Sequence, residues 1–230
     1  MKKSTTSTRT PDGSGASSSR RREALSRERV LAAALALVDR EGLAAVSMRR
    51  LGEELGVEAM SLYHHVPNKA AILDGLFEII LSELPPLRRQ RGWRATLRER
   101  ALALAAVLRA HPSALPLFAS RPAVTPASFE HLEAALQVLH DAGFSAGHAL
   151  AAFQILVAFV VGHTLQAYVP LPPDEETHPA YESLNEEAFP RVREIARLLP
   201  TRDVEEELAL GVDALLDGLE ARLAKGRSAE

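Results

Sequence analysis

Apolar residues recur along this chain at spacings of three and four, and the runs are broken by glycines, prolines and capping residues that mark helix ends. Val30, Ala34, Leu37 and Val38 predict an amphipathic helix from Arg27 to about Glu41, opened by Ser26 and closed by Gly42. Met48, Leu51 and Leu55 predict a second helix with Ser47 as its N-cap and Gly56 as its stop, and Glu58 starts a third that runs until Pro67. Asn68 caps a fourth, Lys69 to Leu84, ended by Pro85-Pro86. That fourth segment is apolar almost all round (Ile72, Leu73, Leu76, Phe77, Ile79, Ile80, Leu81), which a surface strut would not need. It is expected to pack against the preceding helices at one end and a second core at the other, as a mechanical link.

The pattern continues to the carboxyl end. Leu97, Ala101, Leu104 and Leu108 predict a helix over Trp93–Ala110, broken at His111-Pro112, with a short helix over Ser113–Ala119 before a turn at Arg121-Pro122. Thr125-Pro126 opens a helix that runs to Asp141 and stops at Gly143, and Ser145 opens a long apolar one ending at Pro170. Leu171–Leu184 reads as a loop, Glu186–Leu199 as a helix of mixed polarity, and Val204 to about Ala224 as the last helix. This last helix carries Val204, Leu208, Val212, Leu215, Leu219 and Leu223, and Gly211 and Gly218 within it suggest close approach by another helix. With no repeat, no convincing strand and no coiled-coil heptads, the fold class expected is all-α.

The two short helices between Val46 and Pro67 form a helix-turn-helix pattern. In it Leu62 points back onto Leu51 and Leu55, which leaves Ala59, Met60, Ser61, Tyr63 and His64 near the solvent side. Small, hydroxylic or aromatic side chains there can enter a DNA major groove and touch base edges or phosphates. Met60 fits either a groove contact to a thymine methyl or a place in the domain core.

Charge supports this reading only when its distribution is considered. The formal net charge is −3, yet Lys2, Lys3, Arg9, Arg20, Arg21 and Arg22 cluster at the amino end against only Asp12 and Glu23. Residues 1–24 read as a disordered basic tail, either solvated or an arm on phosphates. Met1 to Ser19 is rich in serine and threonine and lacks the apolar segment of a secretory signal. The one stretch resembling a membrane span, Ala149–Val169, contains Gln154, His163, Thr164 and Gln166 and reads better as a buried soluble helix. The chain has no cysteine, so disulfides and thiolate metal sites are excluded. His64-His65 has no carboxylate at ligand spacing, and no metal is expected. There is no nucleophile elbow, Gly-rich phosphate loop or His-Glu-x-x-His spacing, and no enzymatic chemistry can be assigned.

Val46-Ser-Met-Arg-Arg-Leu-Gly-Glu-Glu-Leu-Gly-Val, Ser61-Leu-Tyr-His-His-Val and Asn68-Lys69 leading into Ile72-Leu73-Asp74 resemble the tetracycline-repressor (TetR) family of bacterial transcriptional regulators. Ser120-Arg121-Pro122 and Asp141-Ala-Gly-Phe-Ser145 carry a looser similarity to its tetracycline-responsive branch. The resemblance implies a cytoplasmic, all-α homodimer, with a helix-turn-helix domain over residues 25–70 and a ligand-binding and dimerisation domain over 71–230. It implies groove-facing Met48, Arg49, Ala59, Met60 and Ser61, and phosphate-facing Ser47, Tyr63, His64, His65 and Lys69. Arg49 is the candidate for a bidentate guanine contact. The partners implied are a palindromic double-stranded operator, a small-molecule effector and a second copy, joined through the apolar helices at about 146–169 and 204–224. The positions where drug-binding members use histidines around a metal-chelated tetracycline are here Pro85 and Leu117 or Phe118, none able to ligate a metal. A mainly apolar effector and no cofactor are therefore expected. Phe77, Leu81, Leu104, Leu108, Phe118, Leu136, Leu139, His140, Phe153 and Leu156 are candidates to line its pocket, with plain core packing as the alternative for each. His131, His140 and His163 are the candidate polar handles.

Overall fold

A computed structural model describes residues 24–88, 92–121, 125–168 and 184–227, with side chains through Ala224. The basic tail and nearly all of the Leu171–Leu184 loop lie outside the described residues. Among those described there is helix and no strand.

The first helices form where their caps place them. α1 (Arg27–Glu41) starts at Ser26, whose side chain accepts from the Arg29 amide, and ends at Gly42. α2 (Met48–Leu55) starts at Ser47, which accepts from the Arg50 amide, and ends at Gly56 in the left-handed region (φ 66°). α3 (Ala59–Leu62) is shorter than the pattern predicts. It gives way to a turn, in which the His65 and Val66 amides both bond back to Leu62 O, because Pro67 disfavours helical backbone at the residue before it. α4 (Lys69–Ser82) is capped by Asn68 and stops two residues early.

α4 is the link. It touches α1 on one side and α5 (Gly92–Ala110), α6 (Leu115–Ser120) and α7 (Pro126–Asp141) on the other. Ile72, Leu76, Phe77, Ile80 and Leu81 are all buried, and the core runs without a break from Val30 in α1 to Leu216 near the carboxyl end. Polar ties reinforce the junction. Arg121, just past α6, donates to Asp74 of α4. His111, between α5 and a short 3-10 turn (Pro112–Ala114), sits 3.1 Å from Asp39 of α1 and 3.2 Å from Glu83 at the end of α4.

α8 (Ala146–Tyr168) is long and apolar enough to cross a membrane, but it lies in the bundle against α5, α6, α7 and α10 (Val204–Arg227). The mixed-polarity segment is a correction: α9 covers only Pro190–Ala196. Pro190 lacks the amide that an interior helical residue donates, so it sits in the first turn and Glu186–Phe189 stay outside the helix.

Three arginines of α5 fasten α10: Arg94 to Asp217 (2.6 Å), Arg98 to Asp213 (2.8 Å) and Arg109 to Glu205. The buried stripe of α10 is Leu208, Val212 and Leu216, with Leu215 and Leu219 only half-buried. Gly211 does mark a close approach, although within the chain: a β-carbon there would stand 2.1 Å from the ring of Phe159 on α8. Gly218 faces open space. On α8, Leu150 and Ile155 remain exposed beside Ala151, Ala158 and Gly162, so the two helices present an outward apolar face.

Candidate DNA-reading surface and ligand cleft

The helix-turn-helix is held rigid from behind. Val46, Leu51, Leu62 and Val66 are at most 1% exposed, and Gly52 lets the α2–α3 turn close against α2. On the outside, Arg50 donates to Glu41 (2.6 Å) and lies 3.4 Å from Glu54, while Arg40 reaches Glu54 at 2.9 Å. The hydrogen bond from Arg50, against a smaller opposing effect of burial, keeps the Glu41 carboxyl below its ordinary range. Arg50 thus ties α2 to α1. Its neighbour Arg49 is different: the side chain is 89% exposed, and its ion pair among the described residues, to Glu53 at 3.4 Å, is on its own helix.

The remaining DNA candidates differ in access to solvent. Met60 is 70% exposed, so of its two readings core filling is removed. Tyr63, His64 and Lys69 are exposed, Lys69 being the first residue of α4. Ala59, Ser61 and His65 are half-buried, and Ser47 is exposed while its oxygen caps α2. Met48 is a correction: it is half-buried and packs on the core, because it begins the apolar stripe of α2.

Between α5, α7 and α8 lies a narrow apolar cleft of about 30 Å³, partly open to solvent. It is lined by Leu97, Arg100, Ala101, Leu104, Ala135, Phe153, Leu156, Val157 and Val160. Leu104, Phe153 and Leu156 were legible as lining, but several other candidates are not there. Leu108 and Leu139 are fully buried in the core, and Leu136 packs against it while Ala135, one residue earlier on α7, takes the lining position. Phe77 stacks on Phe118 with ring centroids 4.4 Å apart, closing the α4–α6 contact rather than the cleft, and Leu81 is core. His140 is the plainest correction. It stands exposed in the last turn of α7, 3.7 Å from Asp141, because the cleft faces the opposite side of that helix.

The polar residue of the cleft lining is Arg100, and His131 is its neighbour outside that lining. Arg100 donates from one guanidinium nitrogen to Pro85 O (2.8 Å) and from the other to His131 Nδ1 (2.5 Å). Burial, then the Arg100 charge, push the His131 pKa below its ordinary value, while a hydrogen bond with the Leu81 backbone and Glu130 oppose them. The folded chain therefore holds a neutral imidazole where the unfolded chain binds a proton more readily. The consequence is that stability is lost as pH falls through about 6.5. Denaturant titrations of the native chain and of H131Q should show the native chain losing stability between pH 7.5 and pH 5.5 while the variant keeps a flatter profile, so that the native chain's advantage over the variant is larger at pH 7.5 than at pH 5.5. Identical pH profiles would refute it. His163, the third handle, is largely buried beside Glu207, at 4.0 Å, away from the cleft.

Comparison with known proteins bears on both sites. Residues 30–76 match the family model of bacterial regulatory proteins of the tetR family, and residues 85–223 match that of the tetracyclin repressor-like C-terminal domain. The chain belongs to the TetR family.

It is a DNA-binding transcriptional regulator of that family. It is 30% identical over 207 residues to the class D tetracycline repressor of Escherichia coli, covering 86% of this chain and 91% of that one. It is 36% identical over 140 residues to the transcriptional repressor DrrR1 of Streptomyces coeruleorubidus, a match that spans 60% of this chain and 52% of that one. Among solved structures it resembles ActR of Streptomyces coelicolor, with a TM-score of 0.75 at 27% identity for the apo form (88% of this chain, 98% of that one) and 0.73 for its complex with actinorhodin. The family match extends through Pro85, Leu117 and Phe118. Leu117 is buried, Phe118 lies on Phe77, and the described residues contain no cluster of three histidine, cysteine or acidic side chains able to hold a metal.

Proposed function

We propose that the chain is a homodimeric repressor that reads a palindromic operator with the outer face of α2 and α3 and releases it when a mainly apolar ligand enters the α5–α7–α8 cleft. The observation that carries the DNA reading is the split between adjacent arginines: Arg50 is spent on Glu41 and Glu54, while Arg49 stays exposed, as Met60 and Tyr63 do. Arg49 reads a guanine through O6 and N7, Met60 lies against a thymine methyl, and Ser47, Ser61, Tyr63, His64 and His65 contact phosphates or nearby edges. Lys69 adds charge where the α4 dipole also favours a phosphate.

Residues 25–70 act as the reading head and the rest as ligand and dimer domain, with α4 between them. The outward apolar face of α8 and α10 is the dimer seam, and a two-fold pair places the heads on successive major grooves about 34 Å apart. Ligand binding is supported by ActR, whose structure is known in complex with actinorhodin. The regulator works where its operator is, in the cytoplasm.

Selection of bound DNA from a random pool tests the reading, and two inverted half-sites are the expected product. On the selected DNA, R49A should cost about 1–3 kcal/mol and relax preference at one base pair, whereas K69A should weaken all sequences alike and flatten the salt dependence. Unchanged affinity in both variants would remove this docking.

A further inference from the structure

We propose that the occupant of the cleft carries an anionic oxygen group, a carboxylate or phenolate on an apolar body, and acts by drawing Arg100 away from Pro85 and His131. The inference rests on the cleft being the effector site. Arg100 stands apart from the other arginines of α5: Arg94, Arg98 and Arg109 each have a carboxylate partner, whereas Arg100 has none within ion-pair distance among the described residues. Both of its acceptors are neutral. Arg100 forms part of the cleft wall, every other lining residue is apolar, and Arg100 is half-buried. A half-buried cation with neutral partners only is electrostatically incomplete, and an entering carboxylate would complete it through two parallel N–H···O bonds, stronger than those to a carbonyl or an imidazole.

The present bonds of Arg100 also indicate what such a ligand would disturb. Pro85 follows the last turn of α4, and α7, which carries His131, packs against α4. Arg100 therefore ties the carboxyl end of the link helix to α5 and α7. A ligand anion that rotates the guanidinium into the cleft takes the donor from Pro85 O and from His131 Nδ1 together, and the end of α4 is freed at the moment the cleft fills.

Matched acids and primary amides test this in the full chain: benzoate, 2-naphthoate and 9-anthracenecarboxylate for aromatic bodies, dodecanoate for an aliphatic one, each beside its amide. Calorimetry gives the affinities, and displacement of the fluorescent selected operator gives the response. In at least one pair the acid should bind tenfold or more tighter than the amide, equivalent to about 1.4 kcal/mol, and only the acid should release the operator. R100Q should bring that ratio to about one with amide binding retained, and R100K should keep most of it. The pair that responds distinguishes an aromatic from a fatty ligand. Equal binding of acid and amide, or a preference that survives in R100Q, would overturn the anion while leaving the cleft reading intact. Acid binding without operator release would overturn the tie. If no member of any pair binds, both this inference and the cleft reading fall.

Discussion

G52A is expected to unseat the recognition helix and deprive the protein of its operator. Gly52 is buried within α2, and a β-carbon there would stand 2.8 Å from Val57 O and 3.2 Å from Ala59 N. Both are backbone atoms, so no side-chain rotation relieves the clash, and the turn must move away from α2. That turn is held by the Val57 amide bonding to Gly52 O at 2.9 Å, and it sets the position of Ala59, Met60 and Ser61 as a unit. Such overpacking costs about 1–3 kcal/mol of stability. Operator affinity should fall further, by well over tenfold, because every groove contact of α3 is displaced together. Thermal unfolding and operator binding of one preparation would measure both. Native affinity in G52A would mean that α3 is not held as described.

The second large effect belongs to the link helix. Leu76 is fully buried at the middle of α4, so L76A leaves a cavity between the head and the bundle and should cost about 2–5 kcal/mol. For a chain of this size, that lowers the unfolding temperature by on the order of 10 °C. The exposed Lys69 on the same helix has no packing to lose, so K69A should leave the unfolding temperature where it is. A loss of less than 1 kcal/mol in L76A would mean that α4 is not part of a continuous core.

Most helices were legible because their ends carry local chemistry: Ser26, Ser47, Asn68 and Thr125 each accept from an amide three residues on, as the sequence suggests. The errors fall where local chemistry is outvoted. Pro190 moved the start of α9, and the packing of α10 on α8 and α5, with Gly211 against Phe159, buries Leu216 rather than Leu215. In the site, the fully exposed Arg49 and the buried Leu62 could be read from periodicity. The role of Arg50 could not, since it depends on Glu41, nine residues away on another helix. Arg100 was missed for a related reason. Its charge marked it as a surface residue, and only the packing of α5 against α7 places it beside His131.

Because α4 has helices on several sides and no interior break, it cannot absorb a displacement by bending locally. Fourteen residues of α-helix make a stiff lever of about 20 Å, so a tilt of about 5° at the Leu81 end carries Lys69 roughly 2 Å sideways. That distance is comparable to the whole working range of a hydrogen bond to a phosphate. Misalignment of two heads on one rigid duplex therefore demands only a small motion at the far end, and the sensitivity of the switch is a matter of leverage as much as of binding strength.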